Sequence, residues 1–229
     1  MKNNMGRQLK VLILAILCIV LVVPAMNMNA NAATQRQKAI AAYKKYMAQS
    51  KVYIMPKGSS YYGEISERHI YNGTSSLKAQ FCIANIDNDS VPELVITGKI
   101  EGDNVSAYTI LTYKNGKIRR VHYEYSKRFT GYYPKTGIYV DRGDQPYACI
   151  RYCKLKGLNK PKVMMYNYSY EHMGDKRSEG YCIGDPSMRG KSCSAKTFAA
   201  YRKKITGGKS LIRVKFHNNT ASNRKLKLR

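Results

Sequence analysis

The chain has 229 residues, with 40 Lys and Arg against 14 Asp and Glu and a formal net charge of +26. That length suits one domain with a proper core. The charge predicts attraction to polyanions and says little about fold. No second long apolar run follows the first 32 residues, which argues against a chain that crosses a membrane repeatedly.

The N-terminus reads as a leader. Lys2, Arg7 and Lys10 precede an apolar run from Val11 to Val23, broken by Pro24, and Ala30-Asn31-Ala32 supplies the small residues of a cleavage site. This is the layout of a secretory signal peptide, and the apolar part is short for a membrane span. A retained membrane anchor is the alternative; lipidation of Cys18 is disfavoured because Leu17, not a small residue, precedes it. The expected organisation is a signal peptide over 1–32 and a single domain over 33–229, secreted or associated with the cell surface. The leader carries three basic residues and no acid, so the formal charge falls from +26 to +23 once it is removed.

Thr34 to Ser50 reads as a helix, with Thr34 and Gln37 as a capping box and Ile40, Tyr43 and Met47 on one face. Lys57 to Ser76 is rich in Gly, Ser and Tyr and reads as a loop with at most a short strand. Strands are predicted at Ala79 to Ile86, Leu94 to Lys99, Ser106 to Tyr113 and Ile118 to Tyr125. The last two flank Lys114-Asn115-Gly116-Lys117, where Asn-Gly provides the two positive-φ positions of a type I′ hairpin turn. Gly137 to Val140, Tyr147 to Leu155 and Lys162 to Tyr170 continue the strand pattern. A second helix starts near Ser194, carries Phe198, Tyr201 and Ile205, and stops at Gly207-Gly208. Ser210 to Phe216 is a last strand, and Asn218 to Arg229 reads as a basic, solvated tail or an electrostatic tether. The fold class this implies is α+β: an antiparallel or mixed sheet, possibly barrel-like, with an N-terminal and a C-terminal helix.

Setting Cys18 aside leaves five cysteines in a compartment that favours disulfides. Cys182 and Cys193 bracket a short loop that a disulfide would staple. Cys149 and Cys153, on one strand, would stand about 13 Å apart, too far for a mutual bond. Either could pair with Cys82 or with the 182/193 loop.

The most informative stretch is FCIANIDNDSVPELVI, Phe81 to Ile96. Counting from Asn85, side-chain oxygens fall at Asn85, Asp87, Asp89 and Glu93, with Val91 able to offer its carbonyl. Calcium takes six to eight hard oxygen ligands, and alternating carboxylates in a tight loop supply them. The bland reading lets Asp87 and Asp89 cap backbone amides of the turn while Glu93 pairs with a lysine. The segment resembles the Asp-x-Asp-x-Asp-Gly calcium loops between strands of FG-GAP and integrin-like repeats, and the first half of EF-hand and dockerin loops. It departs from them in Asn85, which removes a charge, and in Ser90, where those loops place Gly. The resemblance implies a structural calcium site. A wider run of motifs, Ile-Asp-Asn-Asp-x-x-Pro-Glu-Leu, Tyr113 to Lys117, Tyr132 to Gly137 and His217 to Thr220, resembles a group of small exported proteins of Gram-positive bacteria. That resemblance implies export and the loop without supplying a reaction.

The remaining chemistry is diffuse. Tyr is the main aromatic, 20 residues against four Phe and no Trp. Met164, Tyr166, Tyr168 and Tyr170 are predicted on one strand face, where they serve as sheet surface or as a sugar platform. His69, His122, His172 and His217 form no metal-spaced pair and adjoin no nucleophile motif. The sequence therefore predicts a non-enzymatic, exported basic protein with a calcium-type loop at Asn85, Asp87, Asp89, Val91 and Glu93. Its expected partners are anionic cell-envelope polymers or glycans, with no specific nucleic acid and no membrane span after cleavage. A secreted hydrolase or envelope-lytic accessory, its site assembled only in the fold, is the alternative.

Overall fold

The computed structural model describes residues 34–62, 68–100, 106–143, 148–170, 178–185 and 190–229. The expected signal peptide over 1–32 and His172 lie outside them. Two antiparallel sheets carry the molecule. The first contains β5 (Gln80–Ala84), β6 (Glu93–Lys99), β7 (Ser106–Lys114), β8 (Lys117–Tyr125) and β16 (His217–Asn218), in the order β16-β5-β6-β7-β8. The second contains β9 (Arg128–Tyr133), β10 (Ile138–Gly143), β11 (Ala148–Lys156), β12 (Asn159–Tyr170), β13 (Ser178–Ile183), β14 (Lys191–Ser192) and β15 (Ile212–Arg213). Its order is β14-β13-β12-β11-β10-β9-β15. The short pairs β1 (Lys51–Val52) with β4 (Thr74–Ser75), and β2 (Ser60–Tyr62) with β3 (Arg68–Ile70), form separate ribbons.

Side-chain alternation sorts the core into three layers of contact. Cys82, Ala84, Val95, Tyr108, Ile110 and Val121 from the first sheet pack against Phe129, Tyr139, Cys153 and Val163 from the second. The opposite face of the first sheet, with Phe81, Leu94 and Ile96, packs on helix α1 (34–47), whose Ala39, Ile40, Tyr43 and Met47 are buried at helical spacing. The far face of the second sheet, with Ile138, Val140, Tyr152 and Met165, packs on Phe198 of helix α2 (Ala195–Thr206). The result is four layers, helix, sheet, sheet, helix. The α+β expectation holds at this level.

The barrel-like option is corrected. Among the described residues each sheet has two free edges, β16 and β8 in one, β14 and β15 in the other, so neither closes. The helix ends behave as the sequence predicts for α2: the Ser194 hydroxyl accepts from the Thr197 amide, and Gly207 takes a left-handed conformation at φ 60°. Thr34 is the first described residue of α1. Asn115 at φ 53° and Gly116 at φ 75° form the expected tight turn between β7 and β8.

Three expectations fail for non-local reasons. The register of β11 against β12 shifts between Tyr152 and Cys153, which inserts an extra residue opposite and breaks the two-residue period of β12. Met164 therefore packs on the α2 side, away from the partly buried neighbours Tyr166 and Tyr168. The five cysteines, Cys82, Cys149, Cys153, Cys182 and Cys193, are all free thiols, so no disulfide staples the 182/193 loop. The C-terminal segment is folded, not a loose tail. Helix α3 (Ala221–Lys227) is capped by the Thr220 hydroxyl, Leu228 is fully buried against the α1 cluster, and Asn219 donates to the carbonyls of Met47 and Ser76. No helix among the described residues is long and apolar enough to cross a membrane.

Candidate metal centre

The acidic loop joins β5 to β6, whose pairing runs from Gln80 opposite Thr97 to Ala84 opposite Glu93. Two adjacent antiparallel strands thus hold the ends of the loop at fixed separation. The second sheet holds its start. The turn between β9 and β10 donates the Lys135 amide to the Asn85 carbonyl at 3.1 Å and the Gly137 amide to the Ile86 carbonyl at 2.8 Å. Lys135 at φ 56° and Gly137 at φ 75° give that turn the shape the contact requires. Helix α1 reaches the other end, where the Tyr43 hydroxyl donates to the Pro92 carbonyl at 2.9 Å.

Held this way, Asp87, Asp89 and Glu93 each present a carboxylate oxygen within 4.8 Å of the others, and together they can hold a metal ion. The turn itself is built by these acids: Asp87 accepts from the Asp89 amide at 3.0 Å and Asp89 from the Val91 amide at 2.7 Å. Glu93, only 1% exposed, accepts from the Ile86 amide at 2.9 Å. The bland expectation is half met. Asp87 and Asp89 do cap amides, but Glu93 pairs with the loop backbone and not with a lysine. Among the described residues no Lys or Arg nitrogen lies within 4.0 Å of the three carboxylates.

That imbalance has an electrostatic cost. Burial, then the neighbouring Asp87 and Asp89, push the Glu93 carboxyl up to about 8, against the relief given by the Ile86 amide. Burial also raises Asp89, with the Val91 amide opposing it, the Asp87 charge adding to it and the Lys114 charge giving some relief. A bound cation would remove the like-charge repulsion at its source. The donor set is all oxygen, which suits a hard cation over a thiolate- or imidazole-loving one. The buried Asn85 side-chain oxygen has no hydrogen-bond partner, an orphan acceptor at the first loop position. The three acids open into a cavity of about 310 Å³ that Val91, Gln35 and Lys114 also line.

Of the histidines, His122 lies 3.6 Å from Glu124, and His217 sits on β16 beside the Phe81 ring. Neither lines the acid cavity. A second polar cluster went unread in the sequence. Between the sheets, Arg151 joins Asp141 and Glu124, and the Tyr108 hydroxyl donates to Asp141 at 2.7 Å. The available signal was two acids, Glu124 and Asp141, set inside strand-like runs of a chain poor in acids. No family model, curated protein or solved structure matches this chain.

Proposed function

We propose that the protein is an exported, non-enzymatic binder of anionic cell-envelope or extracellular polymers, acidic glycans included, and that its β5–β6 loop takes calcium as a structural ion. The observation that carries the metal half of this reading is the convergence of Asp87, Asp89 and Glu93 on one point, with no Lys or Arg nitrogen of the described residues within 4.0 Å of them. Asn85 and the Val91 carbonyl complete the oxygen set in this reading. The neighbouring Glu93–Ile86 bond and the grip of residues 135–137 on the loop suit an ion that braces structure. The strongly positive formal charge, +26 for the whole chain and +23 without the leader, supports the polymer half. Neither the cavity beside the acids nor one of about 680 Å³ under α2 is lined by a histidine or cysteine.

Two measurements test it. Retention on purified envelope polymer should be strong at low salt and fall as salt rises; no retention at low salt would overturn the polymer half. Calcium should raise the melting temperature relative to chelator, by about 2.7 kcal/mol of stability at a hundredfold excess over Kd. Superimposable melting curves in calcium and chelator would overturn the metal half.

A further inference from the structure

A second cavity, of about 680 Å³, lies between α2, the segment 208–213 and the outer face of β9, β10 and β11. Its rim carries Arg142 from β10, Arg202 and Lys203 from α2, Lys209 from the segment that follows and Arg213 from β15. All five are exposed, and no Asp or Glu is among the described residues that line the cavity. The fold brings these five cations to one hollow from four separate elements; Arg142 has an interaction partner of its own, and the other four crowd like charge around the opening.

The bland explanation covers only part of this. Basic residues in the last turn of a helix offset the negative end of its dipole, which accounts for Lys203 and Lys204. It does not account for Arg142 or Arg213, which strands deliver to the same hollow. Lys209 is held by the Pro134 carbonyl at 2.8 Å, which orients its side chain before any ligand arrives.

We propose that this cleft is the site at which the protein binds a phosphate-bearing polyanion, a chain of phosphodiester or phosphoanhydride groups without nucleobases. The inference rests on the polymer-binding reading above and gives it a location. Arg202 and Arg213 offer planar forks that match phosphate oxygens pairwise, and Arg142, Lys203 and Lys209 add charge. The volume lies within the range of ligand-binding clefts and exceeds what one free anion fills. Five cations call for a ligand with a charge on every repeat. Single-stranded nucleic acid is disfavoured because its non-specific binders offer free aromatic faces for base stacking. Here the cleft tyrosines, Tyr133 and Tyr152, are buried and stacked on each other at 6.4 Å.

The test compares purified wild-type protein with Arg202→Gln/Arg213→Gln and with Lys225→Gln/Lys227→Gln, which removes equal charge from exposed positions on α3. The probes are inorganic polyphosphate, poly(glycerol phosphate), a polygalacturonate of similar length and a single-stranded oligonucleotide. The cleft pair should bind both phosphate polymers at least about tenfold more weakly, and the α3 pair less than about twofold. If inorganic polyphosphate alone binds, the source is the free polymer; if both bind, an envelope-borne one is admitted. Equal losses in both pairs would overturn the cleft while leaving charge-driven polymer binding intact. No binding of any probe by the wild type would overturn both readings. Equal or tighter binding of polygalacturonate or the oligonucleotide through the same residues would overturn the phosphate assignment. Should the cleft pair fail to fold, Lys203→Gln/Lys209→Gln is read in its place.

Discussion

Arg151 donates through Nε to Asp141 Oδ1 at 2.8 Å and through Nη2 to Glu124 Oε1 at 2.7 Å, so one guanidinium ties β10 and β11 of one sheet to β8 of the other. Asp141 is fully buried. Replacing Arg151 with Met should therefore strand a charge and cost about 3–5 kcal/mol, read as a lower urea midpoint. Arg151→Met/Asp141→Leu should recover part of that loss, because it removes the stranded charge as well. A double variant no more stable than the single one would contradict this account.

Glu124 gives the same cluster a pH signature. Burial pushes its carboxyl up, but His122 at 3.6 Å and the charge and hydrogen bond of Arg151 outweigh that and hold it at about 2. A depressed acid stabilises the fold above its unfolded value near 4.5 and loses that contribution as pH falls toward 2. Wild-type protein should lose on the order of 3 kcal/mol across this window. Glu124→Gln should show a flatter melting temperature between pH 4.5 and 2. Parallel pH profiles for the two proteins would count against it.

The acidic loop can be tuned in both directions. Glu93→Gln keeps an acceptor for the Ile86 amide but removes the charge, so it should abolish the calcium response with little change in the chelated protein. Asp87→Ala should abolish it too. Asn85→Asp restores a charge at the first loop position and should tighten calcium binding, measured by calorimetry. Weaker binding in Asn85→Asp would remove Asn85 from the ligand set.

The C-terminal segment should behave as core. Asn219, 1% exposed, satisfies two carbonyls of distant segments, so Asn219→Ala should cost about 1–3 kcal/mol. Leu228→Ala empties a fully buried position and should cost about 2–5 kcal/mol. Chemical denaturation reads both, and neutral values would show the segment to be merely docked.

What the sequence revealed was local. The Asn115-Gly116 turn, the Ser194 cap, the Gly207 stop and the α1 face all follow from spacing and conformational preference within a few residues. The clustering of Asp87, Asp89 and Glu93 followed too, because all three fall within the short span 85–93. The missed features depend on partners far along the chain. Arg128 to Tyr133 became β9 by pairing with β10 and β15, and the break in β12 arises from its register against β11. Asn219 meets Met47, 172 positions away. The five cations of the cleft span residues 142 to 213 and look like unrelated surface charges until α2 folds over the sheet.

Among the described residues, polar contacts pin the two sheets at the Arg151, Asp141 and Tyr108 cluster and at the grip of residues 135–137 on Asn85 and Ile86. Tyr108, Phe129 and Tyr139 fill the seam between them with rings 5.7 to 6.4 Å apart. Apolar contact is non-directional and tolerates sliding of one face over another, whereas hydrogen bonds between fixed donors and acceptors do not. The aromatic seam thus acts as adhesive and the two pins as alignment dowels. Because one dowel is the acidic loop, whatever orders that loop also fixes how one sheet lies across the other.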